Sequence, residues 1–344
     1  MNIEILDPTS VADWDTKIAA LPGSYFFATQ AWAKVLQTSY GYTPLYFAMM
    51  DSGAMRALLP MMEVSSFLTG KRGVSLPFTD YCKPLVPHEQ VFFALFDMVK
   101  QEARTRGWKY IDLRLTNGIL KKEIPSLFFH GHVLDLNVGQ EQLFRQFTDV
   151  NRRNIRKAEK QGVVVGLEYT LEALQEFYRL NCLTRQRHGL PPQPWHFFEN
   201  VHREVIAKGM GITALARHEG NAVAGNVYFH YRDKALFKFG ASDMRYQHLR
   251  AGNLVMWEAI KFYAGKGFKS ICFGRTEPEN KGLRRFKMGW GTKETDITYY
   301  RFDLASGAFV TENDSVSHSR REMFSRLPLP ALRVLGNLFY RHVG

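Results

Sequence analysis

Apolar positions along this chain recur with two periods, and the switching between them lays out a mixed α/β order of elements. In the first half, an aromatic stretch from Ser24 enters a helix with apolar spacing at Trp32, Val35 and Leu36. A β-hairpin follows, with arms at Pro44 to Met50 and Met55 to Met62 about a turn at Asp51-Ser-Gly53. A strand from Gly73 opens into a loop ending at Tyr81. Phe92, Leu95, Phe96 and Val99 then mark a helix closed near Gly107, and Trp108 to Arg114 reads as the next strand.

The second half repeats this plan. Leu171 to His188 has helical period, and Ile212 to Arg217 with Ala222 to Tyr231 reads as a hairpin turning at Glu219-Gly-Asn221. A strand at Ala235 to Phe239, a helix from about Gly252 to Ala264 and a strand at Lys269 to Phe273 complete the unit. The junctions Arg106-Gly-Trp-Lys-Tyr-Ile-Asp112 and Lys266-Gly-Phe-Lys-Ser-Ile-Cys272 share one pattern: helix, Gly, aromatic, Lys, strand. Each follows a hairpin, loop and helix. The chain therefore reads as two copies of one mixed α/β unit. The expected boundaries are 1–137, a connecting helix at 138–162, a second copy at 163–312 and a helical tail at 313–344.

Two segments carry unusual charge. The connecting helix places Phe144, Phe147, Ile155 and Ala158 on one side and Arg152, Arg153, Arg156, Lys157 and Lys160 on another, with Gly162 as its stop. Five cations within nine residues repel one another unless an anion is near, although a solvated basic face is the plain alternative. Phe273 to Gly291 packs Arg275, Lys281, Arg284, Arg285 and Lys287 among glycines and aromatics, which reads as a loop shaped for an anionic ligand.

Composition narrows the classes. There are 45 Lys and Arg against 33 Asp and Glu, a net charge of +12, which favours anionic partners such as nucleic acid, a nucleotide cofactor or an anionic membrane. No apolar run is long enough to span a bilayer, and the N-terminus lacks the pattern of a signal peptide. Cys82, Cys182 and Cys272 have no metal-ligand spacing and read as reduced, small hydrophobes of a cytosolic protein, so no metal is expected. On the strand at Ala222 to Tyr231, Asn226 and Tyr228 alternate with Val227 and Phe229, and could face a cleft. His188, His230 and Glu258 read first as a helix end, a satisfied strand residue and a solvated helix position.

Asn151 to Val163, the Gly252 to Ile260 helix and the Phe273-Gly-Arg275…Phe286-Lys-Met-Gly-Trp-Gly291 stretch together resemble the FemAB-like branch of the GNAT acyltransferase superfamily. Phe26 to Trp32 and Ser75 to Tyr81 are similar to that family's N-terminal half. The resemblance covers nearly the whole chain and is closest to FemAB-related proteins of exopolysaccharide and sorting-system loci in Gram-negative bacteria.

The resemblance implies two tandem GNAT-like domains and transfer of an acyl or aminoacyl group to an amine. The implied donor is acyl-CoA or aminoacyl-tRNA, and the implied acceptor is an envelope or polysaccharide precursor with a free amine. It implies catalytic roles for Lys287, Phe286 and Arg275, with Lys287 stabilising charge near the reacting carbonyl. Donor contacts would fall to Arg250, Gly252, Asn253, Arg153 and Arg156, and substrate contacts to Tyr81, Asn226, Tyr228 and Trp257. The stretch Arg245 to Asn253 corresponds to the superfamily's phosphate loop but keeps only Gly252 of its glycines. A basic adaptor binding nucleic acid or an anionic membrane is the non-enzymatic alternative. The tail beyond Ser319 is expected to form two short helices broken at Pro328 and Pro330. The second would set Leu332, Leu335, Leu338 and Phe339 on one side, facing either a membrane or the protein's own core.

Overall fold

A computed structural model of the protein describes residues 2–116, 118–311 and 324–343. It divides into two compact units, Met1–His130 with Thr295–Asp314 and Phe339–Gly344, and Gly131–Glu294 with Ser315–Leu338. The first boundary falls at 130 rather than 137, and the chain returns to the first unit at Thr295. The domain end expected at 312 lies outside the described residues.

In the first unit, β1 (Asn2–Leu6), β3 (Tyr46–Asp51) and β4 (Ala54–Leu59) form an antiparallel sheet, beside α1 (Trp14–Ala19) and α2 (Gln30–Tyr40). The expected helix entry is present: Thr29 caps α2 by accepting from the Trp32 amide. A second set of strands runs β2 (Thr43–Pro44), β5 (Met62–Ser66), β6 (Gly70–Val74) and β7 (Tyr110–Thr116). Residues from β14 (Lys293–Asp303) and then β15 (Ala308–Val310) extend it. β6 and β7 are parallel, joined by α3 (Glu89–Arg106), whose Phe92, Leu95, Phe96 and Val99 are buried as their spacing requires. The strand β8 (Leu127–Asp135) carries the chain out of this unit.

The second unit holds α4 (Gln140–Gln146), α5 (Asp149–Lys160), β9 (Val164–Glu168), α6 (Leu171–Arg187) and α7 (Trp195–Val201). β10 (Gly211–His218), β11 (Asn221–Tyr231), β12 (Lys234–Ser242), α8 (Ala251–Gly265), β13 (Ser270–Thr276) and α9 (Lys281–Met288) follow. Strands β9 to β12 pair antiparallel in the order β9-β10-β11-β12, and β13 joins β12 in parallel. Helices α6 and α8 cover opposite faces, so alternate residues of β11 are buried on both sides.

The expected duplication is visible in this plan, since each unit has a hairpin followed by two parallel strands joined by a helix. The two helix-to-strand junctions match bond for bond. Gly107 and Gly267 both take left-handed φ, of 69° and 78°, and the next amide reaches back five residues, Trp108 to Ala103 and Phe268 to Tyr263.

Two expectations need correction. The basic connecting helix is two helices, α4 and α5, because the chain turns extended at Phe147 and Thr148. The Phe273 to Gly291 stretch is not the loop that its glycines suggested. It is the end of β13 followed by α9, capped by Asn280 accepting from the Leu283 amide, with Phe273 and Trp290 buried and only Phe286 partly exposed.

The last helix, α10 (Leu329–Val343), starts across Pro330 rather than breaking there, since proline fits a first helical turn. The part of the expected preceding helix before Phe324 lies outside the described residues. Leu332 and Gly336 are buried against the second unit, where a Cβ on Gly336 would lie 2.1 Å from the Pro192 carbonyl oxygen. The tail thus docks on the protein's own fold, but by a different stripe from the one its spacing indicated, and Leu338 and Phe339 are left exposed. A glycine inside a helix ordinarily gains up to about 1 kcal/mol on replacement by alanine. Here Gly336→Ala is expected to destabilise by about 1–3 kcal/mol, the cost of overpacking. A raised Tm in a thermal melt would refute that docking.

Candidate active site

The feature with most chemical consequence is a parting of two strands. β12 and β13 pair from Lys234 with Ser270 to Leu236 with Cys272, yet the strands continue to Ser242 and Thr276. Among the described residues the ladder stops there, which opens a wedge between them. Phe237, Lys238 and Phe239 are therefore only half-buried and Gly240 is exposed, although they lie mid-strand.

On its other side, β12 shifts register at the same point. Val227 faces Phe239 and Tyr228 faces Phe237, so Lys238 is an extra residue, a bulge. A bulge leaves its backbone groups outside the ladder and re-aims them, and such features cluster beside active sites. At Gly240 a Cβ would meet the Phe237 ring at 2.6 Å, so the backbone itself forms the wall there.

The open end of β12 leads through Asp243 and a 3-10 turn, Met244–Leu249, into α8. Asp243 is buried and accepts from the Arg245 amide and guanidinium, the latter at 2.6 Å, which holds its carboxyl below the usual carboxylate range. The turn is fixed before any ligand arrives. Arg250 then takes a left-handed φ of 60°, and α8 begins with no side chain capping it. Gly252 is exposed, and a Cβ there would meet no atom within 4 Å. Uncapped amides at the start of a 15-residue helix are chemically suited to an anion, and Gly252 adds no side chain in front of them.

The basic helix lies beside this terminus. Asn253 at the start of α8 donates to Asn151 of α5 at 3.1 Å, and Thr148 is tied to the Gly289 carbonyl. Arg152 is engaged with Asp149 and with the Arg145 carbonyl, so it is not available as the sequence suggested. Arg153, Arg156, Lys157 and Lys160 are exposed along a groove of about 480 Å³.

Lys287 is 4% exposed, and its ammonium donates to the Arg275 carbonyl of β13 at 2.7 Å, beyond the point where β12 has departed. Arg284 is committed to Glu294 through two bonds of 2.7 and 2.8 Å. Nearby, Asn151 Nδ2, Thr276 Oγ1 and Trp290 Nε1 are buried without a hydrogen-bond partner.

Other sequence candidates lie elsewhere. Asn226 and Tyr228 face the core under α8: the Asn226 amide donates to the Tyr228 hydroxyl at 3.0 Å, which donates to Met256 Sδ. Burial pushes the Tyr228 phenol up, and its side chain is packed in the core of the second unit. Trp257 is likewise packed between Phe144 and Phe147. Tyr81 is half-buried in the first unit, against Tyr25 and Phe27.

Its loop carried a signal that spacing did not reveal. Leu76 and Phe78 both have left-handed φ, 57° and 58°, which is costly for bulky side chains. Arg114 and Tyr299 hold that conformation by donating to the carbonyls of Leu76, Thr79 and Asp80.

Residues 145–288 match the model of the acetyltransferase (GNAT) domain family. Among solved structures, FemX is similar at 14% identity and a TM-score of 0.68, over 86% of this chain and 96% of its own. L-PGS from Bacillus licheniformis is similar at 11% identity and 0.58, over 94% and 100%. A tandem GNAT protein from the clavulanic acid biosynthesis pathway is similar at 10% and 0.57, over 88% and 98%. No curated protein matches the sequence. Residues 145–288 thus resemble a GNAT acetyltransferase domain, within a chain whose fold is similar to that of FemX and of the tandem GNAT protein.

Proposed function

We propose that the protein is a FemAB-like transferase that moves an acyl or aminoacyl group from a phosphate-bearing activated donor to an amine. The donor is acyl-CoA or aminoacyl-tRNA, and the acceptor is a cell-envelope or exopolysaccharide precursor. The observation that carries this reading is the wedge between β12 and β13, with a bulge at Lys238 and the open terminus of α8 beyond its mouth.

In such a site the amine nitrogen attacks the carbonyl carbon of the thioester or ester. The carbonyl oxygen becomes an oxyanion, which needs a positioned hydrogen-bond donor or positive charge in the site. As the intermediate collapses, the C–N bond stays, the C–S or C–O bond breaks, and the amine's proton is lost to the leaving group or to water. Amides of Ala251 and Gly252 suit the donor's phosphate, with Arg250, Asn253, Arg153 and Arg156 around it. No metal is required by this chemistry.

The test is which donor raises the Tm, since a ligand at about 100 times its Kd stabilises the native state by about 2.7 kcal/mol. Gly252→Glu should weaken that donor by about 10-fold or more. The unliganded Tm should hold or rise, because a carboxylate in the first turn of a helix is favourable. If neither a CoA thioester nor aminoacyl-tRNA shifts the Tm while nucleic acid or vesicles bind, the protein is instead a basic adaptor.

A further inference from the structure

The first unit presents an apolar feature that the proposed transfer chemistry does not use. The tip of the β5–β6 hairpin carries Phe67 at 87% and Leu68 at 54% exposure. Beside it lies the end of α10, where Phe339 at 44% and Val343 at 68% share a helical face with His342. The two parts are fixed to each other. The Phe67 ring stands edge-on to His342 with centroids 4.6 Å apart, His342 Nδ1 is 3.0 Å from Ser66 Oγ, and Arg72 donates to the His342 carbonyl at 2.8 Å.

Isolated exposed apolar residues are ordinary, but four large ones gathered at a protruding tip mark a contact surface. The chemistry of the surroundings selects the partner. Residues 64–74 and 324–343 contain no Asp or Glu, whereas Lys71 and Arg341 are exposed cations within them. Lys109 adds a third, its side chain lying over Gly70. The tip also satisfies two of its own amides, because Ser66 Oγ accepts from those of Leu68 and Thr69, both at 3.1 Å. Closing those two amides lowers the cost of bringing the turn into an apolar phase. No helix among the described residues is long and apolar enough to cross a membrane.

We infer that Phe67 and Leu68, with Phe339 and Val343 beside them, insert into the interfacial region of an anionic lipid membrane, while Lys71, Lys109 and Arg341 meet its headgroups. An apolar wedge combined with basic residues is the pairing that reversible surface attachment needs. This inference stands apart from the transferase reading, because its test measures partitioning and not turnover.

The test is co-sedimentation of the full chain with vesicles of phosphatidylcholine alone and of phosphatidylcholine with phosphatidylglycerol. The parent is expected to pellet with the second and not the first. Phe67→Ser with Leu68→Ser should lower that partitioning by about 10-fold or more, with an unchanged Tm because both side chains are exposed. Phe67→Leu should retain binding, which guards against a fold defect. Lys71→Glu with Arg341→Glu should weaken it by about five-fold per charge removed. A parent that stays in the supernatant, binding equal on both vesicles, or binding that survives the serine pair overturns the inference. So does a parent dimer that fails to pellet and that the serine pair converts to monomer, since the patch would then meet a second copy.

Discussion

Lys287→Ala is expected to lower turnover by about 10²-fold or more, the scale for removing one charge that stabilises a developing oxyanion. Burial complicates this variant in a useful way. Lys287 is 4% exposed and its ammonium holds the Arg275 carbonyl at 2.7 Å, so alanine also removes a charge-assisted hydrogen bond between α9 and β13. That loss costs about 1–3 kcal/mol and should appear as a lower Tm. Lys287→Gln separates the two effects, because an amide can still donate to the Arg275 carbonyl while carrying no charge. If the charge acts in the reaction, the glutamine variant keeps most of the parent's Tm and loses turnover as alanine does. A glutamine variant with parental turnover would confine Lys287 to bracing β13 against α9.

How much of this was legible in the sequence follows from where each signal resides. The hairpins, α3, α6, α8 and the paired glycine junctions at 107 and 267 are encoded locally, by period and by the left-handed closure each glycine allows. The break between α4 and α5 was also local and readable, since Thr148 before Asp149 is a helix start. Gly282 disguised α9 as a loop, although Asn280 stood in front of it as a cap.

The residues that face the wedge were a different matter. Alternation on β11 says that Asn226 and Tyr228 share a face, but helices cover both faces of that sheet, so alternation cannot say which one meets a ligand. Nor does any local pattern encode the residue at which β13 leaves β12, or the register shift that makes Lys238 a bulge. Both are set by pairing between distant strands. The left-handed Leu76 and Phe78 were hidden for the opposite reason. Their side chains argue against that conformation, and bonds from Thr79, Arg114 and Tyr299 to the loop's carbonyls hold it.

The basic face of α5 should respond to salt in a way that identifies its role. If Arg153, Arg156, Lys157 and Lys160 contact a polyanionic donor, log affinity falls linearly with log salt by roughly 0.7–0.9 per phosphate neutralised. Arg153→Glu with Arg156→Glu should then make the slope shallower by about two units, and reduce low-salt affinity on the order of 10²-fold. The fold should tolerate the pair, because both side chains are exposed and Lys157 and Lys160 still favour the helix C-terminus. Losing the contact of Arg156 with the Phe144 ring, at 5.7 Å, should cost about 0.5–1 kcal/mol and no more. Arg152 is the internal contrast. It is engaged with Asp149 and the Arg145 carbonyl, so Arg152→Ala should move the Tm more than the salt slope. Titrations of the parent and both variants against aminoacyl-tRNA, uncharged tRNA and a CoA thioester at several salt concentrations make the measurement. A double variant with the parent's slope for every one of them would reduce the cations of α5 to a solvated face.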